Sequence, residues 1–206
     1  MMLGLRNEDD VFVVDSPDFP DSMTETWDTA KISALLSSAF VPHLGPGQTR
    51  SPTTPTAAPT ATIDVLITFD ASGVSGHPNH KSLYHGARAF VASLMAGKAG
   101  WASPVDLYTL TSVGVARKYT GLLDALATLA SWALRTRMKD KTHPGGLVFM
   151  NTLVGGSNSF GTARKAMVQA HKSQMVWFRW GWITLSRYML INDLHLEKVK
   201  GSSSSS

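Results

Sequence analysis

Ile63-Asp64-Val65-Leu66-Ile67-Thr68-Phe69-Asp70 runs directly into Ala71-Ser72-Gly73-Val74-Ser75-Gly76-His77-Pro78-Asn79-His80, and this stretch decides the fold. Its first half is an apolar, β-branched run that reads as a strand ending at Asp70. Gly73 and Gly76 permit a tight turn with positive φ. Pro78 suits the first turn of a helix, expected from about Asn79 to Met95. Strand, glycine turn and helix in succession open a βαβ unit. The alternation continues downstream with a strand at Val105–Val113, a helix at Tyr119–Arg137 and a strand at Leu147–Met150. Residues Phe160 to Asp193 read as one long or broken helix, with Gly181 as the break. Upstream, Val11-Phe12-Val13-Val14 reads as a further strand and Thr24–Phe40 as a helix. The pattern predicts an α/β fold on a mostly parallel sheet, where sites gather at the carboxyl ends of the strands.

Composition sets outer limits. The chain has 206 residues, no cysteine, 19 Lys+Arg against 15 Asp+Glu, and 43% hydrophobic residues. Without cysteine there is no disulfide framework, thiol nucleophile or thiolate metal site. No run of about 18 uncharged apolar residues occurs, so the sequence predicts no membrane-spanning helix. One domain is expected over residues 1–200. A Pro/Thr-rich insert interrupts it at about 43–62, and Gly201 with the five serines after it forms a disordered tail. From Asn151 onward seven Lys/Arg stand against two acids, leaving a net of −1 for residues 1–150. A basic C-terminal quarter suits an anionic partner, a lipid surface or nucleic acid; the alternative is a solvated basic face.

Chemistry concentrates after Asp70. His77 and His80 are three apart, so on a helical turn both imidazoles face one side. They read either as metal ligand and proton donor or as helix-capping surface histidines. Asp70 is placed to orient one of them. Met167, His171, Gln174 and Phe178 share a helical stripe, on which His171 reads as a core histidine or a second site histidine. Met175 to Tyr188 interleaves Trp177, Trp180 and Trp182 with Arg179 and Arg187. That pattern fits a segment lying at a membrane interface, or a core helix filled with tryptophan. Nucleic-acid stacking is a third option, but no RNP-like strand or zinc-finger spacing accompanies it.

Thr68-Phe69-Asp70, Gly73-Val74-Ser75-Gly76-His77-Pro78-Asn79-His80 and Leu83-Tyr84 resemble the second motif of the N-acetylglucosaminyl-phosphatidylinositol de-N-acetylase family, the eukaryotic branch of the LmbE-like zinc deacetylases. Ala170-His171-Lys172-Ser173-Gln174, Val176-Trp177-Phe178-Arg179 and Ser186-Arg187-Tyr188 with Asn192 are similar to its C-terminal signature. Asp18-Phe19-Pro20-Asp21 and Trp27-Asp28 also fit. The resemblance covers about residues 3–40 and 63–197. It implies a Rossmann-like three-layer α/β sandwich that hydrolyses the acetamide of GlcNAc-phosphatidylinositol. That reaction is the second step of GPI-anchor synthesis, at the cytoplasmic face of the endoplasmic reticulum membrane, with no part for nucleic acid. It further implies that His80 is a zinc ligand, that His77 assists the tetrahedral intermediate and that His171 lies near the same site; the residue pattern adds Asp70 to the catalytic set and has Trp177, Arg179, Trp180 and Arg187 facing substrate or membrane.

The sequence departs from the family at its start. The family's first motif, His-Pro-Asp-Asp-Glu after a strand, supplies two further zinc ligands and the general base; here only Glu8-Asp9-Asp10 are adjacent acids, without the histidine. Set against the family's pattern, the chain is expected to start after the first βα unit and the N-terminal anchor. The expectation is therefore a weakly held zinc, little or no hydrolysis by this chain and an exposed sheet edge. Two other functions share the same residues: deacetylation of soluble N-acetylglucosaminyl conjugates, and a catalytically dead relative that holds lipid or a partner.

Overall fold

The computed structural model describes residues 7–41, 58–136, 143–156, 158–170, 172 and 175–199. Most of the proline-rich insert and all of the serine tail lie outside the described residues. Among the described residues the chain forms α1 (Thr29–Phe40), β1 (Val65–Phe69), α2 (Gly73–Gly76), α3 (Pro78–Leu94), β2 (Asp106–Leu110), α4 (Val115–Tyr119), α5 (Gly121–Thr136), β3 (Gly146–Met150), α6 (Phe160–Ala170), α7 (Trp177–Leu185) and β4 (Ile191–Leu196). The four strands make one open sheet in the order β1-β2-β4-β3.

The sheet is mixed, not mostly parallel. β1 and β2 are parallel, with Val65 opposite Asp106 and Phe69 opposite Leu110. β4 runs the other way. Glu197 N–H donates to the Leu107 carbonyl at 2.8 Å, while Thr109 Oγ1 donates to the His195 carbonyl at 3.4 Å. Numbers thus rise along β2 as they fall along β4. Asn151 N–H likewise donates to the Leu190 carbonyl at 2.9 Å. The reversal follows from β4 itself, which periodicity assigns to a helix. An apolar run such as Tyr188-Met189-Leu190-Ile191 suits either state, and here a 3-10 turn at Arg187–Met189 ends the helical stretch.

The chain divides into two compact units: Ser16–Ser112 with His195–Ser206, and Met1–Asp15 with Val113–Leu194. The first holds α1, β1, α2, α3 and β2. Ala87, Phe90, Val91 and Leu94 of α3 bury against Val41, Val105 and Leu107, with Leu66 and Ile63 packed on the margin. α1 begins later than its apolar spacing suggests. Asp28 caps it, Oδ1 accepting from Lys31 N–H at 2.8 Å, and a capped start excludes the residues before it from the helix. Those residues are held by α3 instead. Asn79 Oδ1 accepts from Ser22 N–H at 3.1 Å, and its Nδ2 donates to the Glu25 carbonyl at 3.1 Å. Ser82 Oγ accepts from Trp27 N–H at 2.9 Å. Gly86 lets α1 approach closely: a Cβ there would stand 2.3 Å from Ile32 Cγ2.

The second unit buries Ala125, Ala166, Ile183, Met189, Ile191 and Leu194. Val11 to Val14 is not a strand; Phe12 is 89% exposed. An apolar run with no partner ladder among the described residues has nothing to bury against. The long helix expected over 160–193 is α6 and α7, separated between residues 170 and 177. Gly181 lies inside α7, with open space where its Cβ would be. Arg187 is buried at 0% exposure. Its Nη2 donates to Asp193 Oδ1 at 2.8 Å and to Thr128 Oγ1 at 3.1 Å, and its Nε lies 2.6 Å from Asp124 Oδ2. Arg117 Nε donates to the other oxygen of Asp124 at 2.5 Å.

Candidate active site

The parallel register brings the carboxyl ends of β1 and β2 side by side, so Asp70 and Ser112, each just past its strand, meet. Asp70 Oδ2 accepts from Ser112 N–H at 2.6 Å, and Oδ1 accepts from Ser112 Oγ at 2.6 Å. Oδ1 also accepts from Ser72 and Gly73 N–H, each at 3.0 Å. These bonds fold residues 72–76 into one tight turn.

The turn is strained. Gly73 has φ +64°, and Val74 has φ 61°, ψ −45°, a region where a β-branched residue costs about 1–3 kcal/mol. Val74 N–H donates to Ser112 Oγ at 2.8 Å, one of the bonds that holds it there. Gly73 leaves no space for a side chain: a Cβ would meet His80 Cβ at 3.1 Å and Lys81 Cγ at 3.2 Å.

Both histidines of the pair are brought together, by two different devices. His77 is the N-cap of α3, and its Nδ1 accepts from Asn79 N–H at 3.2 Å. An accepting Nδ1 carries no proton, so in neutral His77 the proton sits on Nε2. His80 Nδ1 lies 3.1 Å from the Gly73 carbonyl. A carbonyl only accepts, so His80 Nδ1 carries the proton and its Nε2 carries the lone pair. The two rings are therefore opposite tautomers, with centroids 4.8 Å apart and planes at 29°. His80 also stacks on Phe69 at 3.8 Å and 8°. Burial and the neighbouring His77 push the His80 pKa down, while its bond to Gly73 and the Asp21 charge push up; the net direction is downward.

The sequence places Asp70 to orient one of the imidazoles; its carboxylate instead binds Ser72, Gly73 and Ser112, and reaches His80 only through the Gly73 turn. His171 lies outside the described residues. Trp177, Arg179 and Trp180 lie on α7 in the other unit. Trp177 is 85% and Phe178 57% exposed, Arg179 is half-buried, and the Arg164 guanidinium lies over the Trp180 ring at 5.8 Å. Arg187 faces no solvent and no membrane, because two carboxylates hold it inside its unit. Ser112 and the Asn79 clamp escape a reading by motif. Ser112 was accessible only through strand register, as the residue beside the end of β1.

Among the described residues no group of three or more His, Asp or Glu is placed to hold a metal ion. No described helix is long and apolar enough to cross a membrane.

No protein-family model and no solved structure matches the chain. Curated relatives do. The chain is 50% identical to an N-acetylglucosaminyl-phosphatidylinositol de-N-acetylase of Arthroderma benhamiae, over 97% of the chain and 64% of the relative. It is 34% identical to a probable enzyme of the same name from Schizosaccharomyces pombe, over 89% and 59%. A Bos taurus protein of that name is 30% identical, over 90% and 57%. The chain thus spans less than two thirds of the length of these relatives. Matches of this extent to proteins of one name, together with a glycine turn that delivers two imidazoles to the ends of parallel strands, make the chain a homologue of the N-acetylglucosaminyl-phosphatidylinositol de-N-acetylases.

Proposed function

We propose that the His77–His80 pair serves the amide hydrolysis for which these relatives are named, releasing acetate from the N-acetylglucosamine of GlcNAc-phosphatidylinositol. The two ring contacts that assign opposed tautomers, His77 Nδ1 with Asn79 N–H and His80 Nδ1 with the Gly73 carbonyl, are the observation that supports this most. Such a reaction requires a basic lone pair and, near it, a donor for the developing oxyanion or the leaving amine. His77 Nε2–H offers the second; the His80 Nε2 lone pair is the donor for the metal considered next and leaves the base to a residue outside this pair. The stacking on Phe69 fixes the plane of the His80 ring, and the N-cap bond fixes that of His77. A Rossmann-like winding belongs to this reading, supported by the parallel β1–β2 pair joined through α3.

Zinc is the cofactor the reading calls for; when bound, it polarises the amide carbonyl and acidifies water. His80 Nε2 suits it as one donor. Three protein ligands are the rule for a catalytic zinc, and the described residues alone do not make that set. The substrate is a lipid, so the reading also includes a membrane surface, at the cytoplasmic face of the endoplasmic reticulum. α7 is the segment proposed to lie on it, with Trp177 and Phe178 at the headgroup level and Arg164 among anionic headgroups.

Acetate release from GlcNAc-phosphatidylinositol in mixed vesicles, with zinc added, tests the hydrolase reading. Slow release by the unmodified chain is expected, in keeping with the incomplete ligand set among the described residues, with a further fall of about 100-fold or more in His77→Ala and in His80→Ala. Equal rates in the variants would overturn it. So would no release by the unmodified chain with lipid binding intact, which favours the catalytically dead, lipid-holding relative.

A further inference from the structure

We propose that Ser112 is a positioning residue for His80, working through the strained turn at Gly73 and Val74. The inference rests on the hydrolase reading for its consequence in rate, but its geometry stands alone. Ser112 Oγ donates to Asp70 Oδ1 at 2.6 Å and accepts from Val74 N–H at 2.8 Å, so both roles of the hydroxyl are used. Asp70 in turn holds Gly73 N–H at 3.0 Å. Gly73 and Val74 are thereby pinned on both sides in left-handed conformations that a valine does not adopt unaided. The carbonyl of that same Gly73 meets His80 Nδ1 at 3.1 Å.

The chain of consequence has four links: hydroxyl, strained amide, carbonyl, imidazole. Removing the hydroxyl strands the Val74 amide and frees the turn to relax toward ordinary φ. The Gly73 carbonyl then turns away, and His80 is no longer held as the Nδ1–H tautomer. Its Nε2 lone pair becomes one state among two. A hydroxyl two elements away in sequence thus determines which nitrogen of His80 is basic.

The experiment is histidine-labelled nitrogen NMR of the metal-free chain at pH 8, with His80 assigned by difference from His80→Ala. The unmodified chain is expected to show His80 as a single Nδ1–H tautomer, Ser112→Ala a mixture of both, and Ser112→Thr the single tautomer again. In the vesicle assay Ser112→Ala should lower kcat by about 10–100-fold with KM little changed. A general loss of folding would not select one tautomer, nor be rescued by threonine in this way. Should Ser112→Ala fail to fold, Ser112→Cys replaces it, with the same mixture expected. A single Nδ1–H tautomer in the alanine or cysteine variant would overturn the proposal. If the tautomer mixes as expected but His80→Ala releases acetate at the unmodified rate, the hydrolase reading fails and the positioning role stands.

Discussion

Gly86→Ala and Gly181→Ala are the same chemical change in two helices, and the structure gives them opposite signs. A methyl at Gly86 would lie 2.3 Å from Ile32 Cγ2 and 2.4 Å from Ile32 Cβ. Ordinary carbon contacts are about 3.5–4.0 Å, so more than an ångström is lacking. Rotating Ile32 does not help, because its Cβ is fixed to the α1 backbone; the two helices must separate. Overpacking of this kind costs about 1–3 kcal/mol. With backbone as the obstacle the upper end applies, and the helix preference of alanine over glycine returns about 1 kcal/mol. Net destabilisation is therefore about 2 kcal/mol, which at this chain length lowers Tm by roughly 4–8 °C. At Gly181 nothing lies within 4 Å, so only the helix preference acts and Gly181→Ala stabilises by about 0.5–1 kcal/mol. Urea and thermal denaturation followed by circular dichroism measure both. A Gly86→Ala chain as stable as the original, or a common sign for the two variants, would refute the packing of α1 on α3.

Arg187→Ala leaves the buried Asp124 short of a partner and should destabilise by about 3–5 kcal/mol, read as a lower urea midpoint with an unchanged slope. His80 should titrate by NMR below the ordinary histidine value of about 6.5, because burial and His77 disfavour its charge. Asp21→Asn should lower it further, since Asp21 raises it. The unfolded chain then binds more protons between the two values. The stability tied to His80 is accordingly complete above about pH 6.5 and declines as pH falls through its folded value. Trp177→Ala should weaken binding to anionic vesicles by about tenfold. The same loss on neutral vesicles alone would point to burial without a role for charge.

The sequence carried much of this plainly, and its failures are instructive. β1, the Gly73 turn and α3 are legible because a β-branched run, two glycines and a helix-starting proline each act locally. The position of His77 beside His80 follows from spacing alone. β4 is not legible, since an apolar run that continues a helical stripe is converted to a strand only by the β2 edge awaiting it. The misread start of α1 has a similar origin: Trp27 belongs to the apolar stripe, yet its backbone is bonded to Ser82. Arg187 reads as a surface cation by composition, and only its carboxylate partners reveal it as internal. Spacing places Asp70 beside the histidines, but local pattern cannot see that the Gly73 turn stands between it and the His80 imidazole.

Asn79 sits inside the most recognisable tetrapeptide of the chain, yet its amide is a rivet between α3 and the segment around Ser22 and Glu25. A scan of substitutions through His77-Pro78-Asn79-His80 will therefore mix two kinds of damage under one loss of turnover. Limited proteolysis separates them: replacement of either imidazole leaves the 16–27 stretch resistant, whereas replacement of Asn79 opens it to cleavage before any question of chemistry arises.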